Sequence, residues 1–483
     1  MRRILVALLA LGLGAVLMPP RVPARALTIE AIRPQAVVAL IDTGINPYAP
    51  AFRDTSQLAK QHPSTYIPGY PKDAKALRLS LDASSMSKAL KKDAGVWESV
   101  LPRQLYWIPG TKIIGAISMG AGGRSCNREV QGQQVPLLPP PAGGQVNVGP
   151  DCPERTILDD VGHGTMTASR AAGSPRSLAP GARIVAIEGL GEQSSRWAAQ
   201  QSWIDIQSNS WGYLTGLFPS GMTTFREIAD DQLVVTASGN GVGFSGFGPE
   251  PTYMHALSAP GVVIVGGHDN GHVTAWSGIP PHVVADAFAP STALHDSMAA
   301  MRPDPVACCT STSTPYVAGG AAAIVLEARR ILGDERTGVR GGVVARGPKG
   351  VVGKGPLKDG VFTLTELREV LYRTAEARPR AGRDDGHIHF LGEPGSQPRY
   401  ADPWGTGENP YCQGCWTLPL AWRDVHADVP VYPMVGYGAV NERSIALARK
   451  VLRGNKSLPA RADEEAFFTQ DEAVRQAIWG AVP

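Results

Sequence analysis

The sequence predicts an α/β protein, a doubly wound parallel sheet with helices on both faces. Three observations carry that prediction. Continuous apolar runs such as residues 36–41 end in polar or glycine-rich turns, as strands buried on both faces do. Between residues 183 and 265 strand-like runs alternate with helical patterns, the order that builds a parallel sheet. Residues 309–332 form a hydroxyl-rich turn followed by a long run of small apolar residues, which reads as a buried helix with Ser and Thr at its start.

The first 26 residues stand apart. A basic start at Arg2 and Arg3, an apolar stretch, and the small-x-small triplet Ala24-Arg25-Ala26 fit a signal peptide, so a secreted or periplasmic protein is expected. The formal charge of +3, less the four arginines of that segment, leaves −1. There is no basic tract and no aromatic–basic interleaving, so nucleic acid is not an expected partner. No other run is long enough to span a bilayer, and no stable membrane association is expected once the leader is removed. At 483 residues, with 55 glycines and 41 prolines, the chain suits a loop-rich catalytic body better than a helical bundle. That body is assigned to residues 27–455, and residues 456–483 form a charged tail.

In chain order, residues 36–41 form the first strand and end on Asp42-Thr43-Gly44. Residues 53–155 read as mostly a loop-like insertion, with a lysine-rich patch at 88–92 and a strand-like piece at 112–118. Next comes Asp159-Asp160-Val161-Gly162-His163-Gly164-Thr165, where a histidine between two glycines would project from the first turn of a helix. Strands follow at Arg183–Glu188, 204–210, Leu233–Ala237 and 262–265, with helices at 194–203 and 223–230 between them. Residues 333–360 read as a surface loop. Thr363 to Glu366 is a capping box opening a helix, and Glu442–Leu452 is an amphipathic helix. Several strands end in polar residues at one edge of the sheet, the edge where open α/β sheets place their ligands. Each of those residues taken singly is an ordinary turn former.

Export makes disulfides of the six cysteines plausible. Cys126 with Cys152 and Cys412 with Cys415 are candidate pairs, while a bond between adjacent Cys308 and Cys309 would be strained. Cys412 and Cys415 have no second pair of that spacing, so no metal site is assigned.

Six stretches occur in a set order: ALIDTGINPYAP, DDVGHGTMTAS, LAPGARIVAIE, SNSWG, VVTASGNG and TSTSTPYVAGGAA. On these the chain, over about residues 36–452, resembles the subtilases, the subtilisin-like serine peptidases. The resemblance implies an Asp-His-Ser triad in which Asp42 orients the imidazole and His163 is general base, then general acid. The family's nucleophile lies four residues before the proline; counted from Pro315, that is Ser311. Asn240 matches the asparagine that donates to the oxyanion, with the Ser311 N–H as second donor. Ser210, Trp211 and Gly212 match the edge strand that pairs with extended peptide and form one wall of the primary specificity pocket. Ala237, Ser238 and Gly239 match the opposite wall.

The chain departs from the family pattern at four places. Cys309 replaces the usual glycine before the Thr-Ser pair. Only residues 27–35 separate the expected cleavage site from the first strand, too few for a folding propeptide. Ala51 stands where an aspartate often binds calcium, so no calcium and no other cofactor is assigned. The stretch between Asp42 and His163 is long. The expected activity is secreted endopeptidase action through an acyl-enzyme on Ser311. The alternatives are a binding protein on the same fold, and an esterase or transpeptidase using the same triad.

Overall fold

The computed structural model describes residues 34–461 except 84–85, 120–156, 160–161, 174–176, 213–218, 241–256, 258, 270–271, 274–276, 278–280, 288–308 and 377–435. The expected signal peptide, the five cysteines other than Cys309, and the charged tail beyond residue 461 lie outside the described residues.

Strand β1 (Val37–Asp42) is the centre of the molecule. All six of its residues are buried. It pairs in parallel with β5 (Arg183–Glu188) on one side and β6 (Ile206–Asn209) on the other. Beyond β6 the sheet continues through β7 (Leu233–Ala237) and β8 (Val263–Asp269) to β10 (Val283–Asp286), with β9 (His272–Val273) beside β8. Beyond β5 it continues through β4 (Ile113–Ser118) and β3 (Tyr106–Trp107) to β2 (Lys75–Ala76). Nearly all pairings are parallel; β3 with β4 and β8 with β9 are antiparallel. Strand order reverses around β1, so the carboxyl ends of β1 and β6 mark the topological switch point, where such sheets place a ligand crevice.

Alternation along β1 divides the core. Val38 and Leu40 pack with helices α3 (His163–Ala172) and α6 (Thr310–Leu332) on one face. Val37, Ala39 and Ile41 face the other side, with Trp203 and Ala198 of α4 (Glu192–Ala199). Helix α5 (Pro219–Asp231) packs Phe225 and Ile228 on Val234 of β7. The period of two and the need to cover both faces account for the continuous apolar strands.

Helices α3 and α6 run side by side and parallel. Thr312 Oγ1 meets Met166 Sδ at 3.7 Å, the Arg170 guanidinium lies 4.2 Å from the centre of the Tyr316 ring, and a Cβ on Gly319 would stand 2.4 Å from Ala171 O. Small residues in both helices permit that approach. A 10-residue helix and a 23-residue helix thus begin at the same level, beside the crevice.

Two stretches hold more structure than their sequence suggests. Before β4, the stretch read as loop-like carries β2, β3, α1 (Met86–Lys92) and α2 (Ala94–Glu98). It is tied together by Asp93, which accepts from Tyr48 Oη at 2.8 Å and from the Ser80 N–H and Oγ at 2.6 Å each. Trp97 Nε1 donates to Tyr48 Oη at 2.9 Å. Residues 333–360, expected as a surface loop, carry β11 (Val343–Arg346), which pairs with β12 (Val361–Thr363), and bury Val344, Ala345 and Leu357. Both stretches are assembled from contacts distant in sequence, which leave no periodicity to read. The capping box at Thr363 and Glu366 opens α7 (Leu364–Thr374), and Asn441 caps α8 (Glu442–Leu452).

Asp334, after α6, gives a pH test of stability. Burial alone would raise its carboxyl pKa, but hydrogen bonds from the Arg336 guanidinium and the Arg346 N–H outweigh that, together with the Arg336 charge, and hold it below the usual carboxylate range. A folded pKa below the unfolded one contributes stability above the unfolded value of about 3.9 and loses it as pH falls through the folded value. Asp334→Asn is expected to cost about 1.5–3 kcal/mol at pH 7. Urea unfolding should show that difference shrinking below about pH 4.

Candidate active site

Asp42 ends β1 with its side chain 3% exposed, and His163 opens α3 with its side chain 34% exposed. Residues 121 apart in the chain meet here: His163 Nδ1 lies 2.7 Å from Asp42 Oδ1. The same oxygen accepts from the Thr43 N–H at 2.8 Å, and Asp42 Oδ2 accepts from Thr167 Oγ1 at 3.1 Å. A carboxylate with three donors is fixed in place, and with Asp42 Oδ1 at its Nδ1, the imidazole presents Nε2 to the crevice.

The loops bearing Asp42 and His163 touch backbone to backbone. Gly164 is required there, because a Cβ would stand 2.2 Å from Gly44 O. Gly44 has a φ of +114°, open to glycine and strained for other residues. Asp159, fully buried, joins the two loops. Its Oδ1 accepts from Thr43 Oγ1 at 2.7 Å and the Gly162 N–H at 2.8 Å. Its Oδ2 accepts from the Thr165 N–H at 2.7 Å and Thr165 Oγ1 at 2.6 Å. Thr43 Oγ1 in turn accepts from the Gly164 N–H at 2.8 Å. Asp159, Thr43 and Thr167 escape a sequence reading of candidate site residues. The one local signal was an aspartate four residues before a histidine already singled out.

Ser311 is the second residue of α6, in the turn whose backbone N–H groups have no acceptor within the helix. Both Ser311 and His163 lie eight residues before the close contact of Gly319 with Ala171, or about 12 Å along parallel helices. Their first turns therefore stand together. Ser311 Oγ donates to Ser210 O at 3.2 Å, and Ser210 Oγ donates to Ser311 O at 2.9 Å. Cys309, just before the helix, has a φ of +84°. A glycine adopts that backbone freely, whereas a residue with a Cβ carries a strain of about 1–3 kcal/mol.

Asn240, past the end of β7, accepts with its Oδ1 from the Thr310 N–H at 3.1 Å and Thr310 Oγ1 at 2.7 Å. With Oδ1 engaged twice, Nδ2 is the end available to an anion. Thr310 is a further residue that the sequence reading missed. Ser210 follows β6 directly, and Trp211 beyond it packs edge-on against Phe225 at 6.0 Å between ring centres. Gly212 follows, and like Ser210 and Trp211 it lies outside any strand. Ala237 ends β7, Ser238 is buried with its Oγ 3.3 Å from Ser277 Oγ, and Gly239 has a φ of +98°. The two segments thus leave neighbouring parallel strands at their carboxyl ends. Among the described residues no three of His, Cys, Asp or Glu gather as a metal site requires.

The description "Subtilase family" fits residues 34–387 of this sequence, well over half the chain. The chain belongs to the subtilase family. It is a serine peptidase by class, acting on peptide or protein substrates. No curated protein sequence matches it. Solved structures similar to this subtilase include the protease domain of PatA, at 13% identity and a TM-score of 0.38, covering 88% of this chain and 98% of that one. A cold-adapted subtilisin-like serine proteinase is similar at 14% identity and a TM-score of 0.35, covering 72% and 85%. A protease of Pseudoalteromonas arctica is similar at 15% identity and a TM-score of 0.40, covering 86% and 90%.

Proposed function

We propose that this subtilase is a secreted endopeptidase that cleaves peptide bonds through an acyl-enzyme on Ser311. The observation that supports the reading is a His163 held at Nδ1 by a buried Asp42 at the start of α3, a helix packed alongside the one whose first turn carries Ser311. In the proposed reaction His163 Nε2 removes the proton from Ser311 Oγ as that oxygen attacks the scissile carbonyl carbon. The carbonyl π electrons move to oxygen, which is met by Asn240 Nδ2 and the Ser311 N–H. His163 then gives its proton to the leaving amine, and water hydrolyses the ester by the reverse roles. Asp42 stays ionised and offsets the imidazolium charge.

Ser210 to Gly212 would pair with the substrate backbone, and Ala237 to Gly239 would form the facing wall of the first side-chain pocket. Export rests on the amino-terminal leader. Disulfides among the six cysteines belong to the same proposal.

The test is digestion of a peptide library read by mass spectrometry, with Ser311→Ala as control. Cleavage products confined to the wild type support the proposal. A folded wild type that cleaves nothing would favour a binding protein, and turnover of esters with no amide cleavage would favour an esterase. Product transfer to an added amine would mark a transpeptidase. Asn240→Ala is expected to lower kcat by about 10²–10³-fold with a smaller change in KM, the loss that subtilisin itself shows when its oxyanion asparagine is removed. Steady-state kinetics on one cleaved peptide checks it.

A further inference from the structure

Helix α6 contains Pro315 as its sixth residue. Each helical residue ordinarily donates its N–H to the carbonyl four residues back. Pro315 has no N–H, and its ring crowds the carbonyl it would have served. That carbonyl is Ser311 O. In place of the missing amide, Ser210 Oγ donates to Ser311 O at 2.9 Å. Ser210 is 6% exposed, so water does not readily take over the bond. The preceding carbonyl, Thr310 O, also receives a side-chain donor, Thr314 Oγ1 at 2.7 Å. The first turns of α6 are thus held by hydroxyl groups where a proline has opened the backbone ladder.

We infer that the Ser210 hydroxyl is a positioning residue for the nucleophile, separate from any pairing of its backbone with substrate. The inference rests on Ser311 being the nucleophile. By holding the carbonyl of Ser311, Ser210 Oγ fixes the peptide plane that follows Ser311 and so restrains, through the shared Cα, the residue that carries the attacking Oγ and the N–H donor. Both groups must be aimed within a few tenths of an ångström for attack and for oxyanion binding. Losing the hydroxyl leaves the substrate-pairing carbonyl of residue 210 in place. It therefore acts on turnover and spares binding.

The experiment is a kinetic double-mutant cycle. Ser210→Ala is expected to lower kcat by about tenfold, the worth of one buried hydrogen bond, with KM within about twofold. The rate of fluorophosphonate labelling of Ser311 should fall in proportion. Ser210→Thr, which keeps a hydroxyl, should retain kcat to within about threefold. Pro315→Ala supplies the missing N–H to Ser311 O, so Ser210→Ala should cost much less in that background. Thermal unfolding verifies that each variant is folded. If Ser210→Ala does not fold, Ser210→Cys, a weak donor of similar size, takes its place. Wild-type kcat in the folded variant, or an equal cost with and without Pro315, would overturn this inference alone. A folded wild type that is neither labelled nor active would overturn the nucleophile assignment and this inference with it.

Discussion

Ser311→Ala is expected to lower kcat by about 10⁶-fold, the size of loss seen when a triad member acts as part of a unit. The change removes one oxygen atom from the second residue of a helix whose start is held by other bonds. Thr310 keeps its two hydrogen bonds to Asn240, and Ser210 Oγ keeps Ser311 O, which is backbone. Thermal stability should therefore change by less than about 1 kcal/mol. The variant should also lose all fluorophosphonate labelling while the wild type is labelled stoichiometrically. A residual activity only tenfold below wild type would sink the assignment of Ser311, and attention would pass to the neighbouring hydroxyls of residues 310–314.

The largest effect on stability is expected at the opposite end of the same helix. Arg329 and Asp205 are both fully buried and form a two-pronged ion pair, with Nη1 to Oδ2 at 3.0 Å and Nη2 to Oδ1 at 2.5 Å. Arg329 also donates to Gln35 O at 2.7 Å, Gly338 O at 3.0 Å and Val344 O at 2.9 Å. Asp205 accepts from the Val37 N–H at 2.8 Å and the Gly338 N–H at 2.8 Å. The pair pins the carboxyl end of α6 to the amino ends of β1 and β6. Arg329→Met should cost about 3–5 kcal/mol, because it leaves the Asp205 charge buried with two amide donors and no counter-ion. Asp205→Asn combined with Arg329→Met should cost less than the sum of the single changes, since neither charge then remains. Denaturant unfolding of the four proteins checks this; additive costs would show that the two groups act independently. Ser311 lies 18 residues along α6, about 27 Å away, so turnover by the folded fraction should not change.

Much of the scaffold was legible in the sequence. β5, β7 and α8 begin and end where the residue pattern places them, because an apolar run or an amphipathic period bounded by turn formers or caps is a local property. Helix α6 was legible from its hydroxyl start and its small apolar body. The strands β2, β3, β9 and β11 were not, since each is two to four residues long and is defined by its partner rather than its composition. The ordered motifs singled out Asp42, His163, Asn240 and Ser311 as residue types at strand ends and helix starts. They carried no sign of Asp159 as the link between two loops, nor of Thr310 as the residue that turns Asn240.

By itself, then, the sequence determined which segments become buried strands, where helices start, and the order in which acid, base and hydroxyl occur along the chain. These follow from periodicity, capping and glycine or proline geometry within a few residues. Tertiary structure decided the contacts themselves, including those of Ser210 with Ser311 and Asp205 with Arg329 that the family resemblance does not imply. His163 and Asp42 are 121 residues apart, Ser210 and Ser311 are 101 apart, and Asp205 and Arg329 are 124 apart. Bonds of 2.5–3.2 Å between such distant residues exist only after the sheet has wound both ways around β1 and set α3 beside α6. No local pattern encodes which oxygen a hydroxyl will meet once the chain has folded.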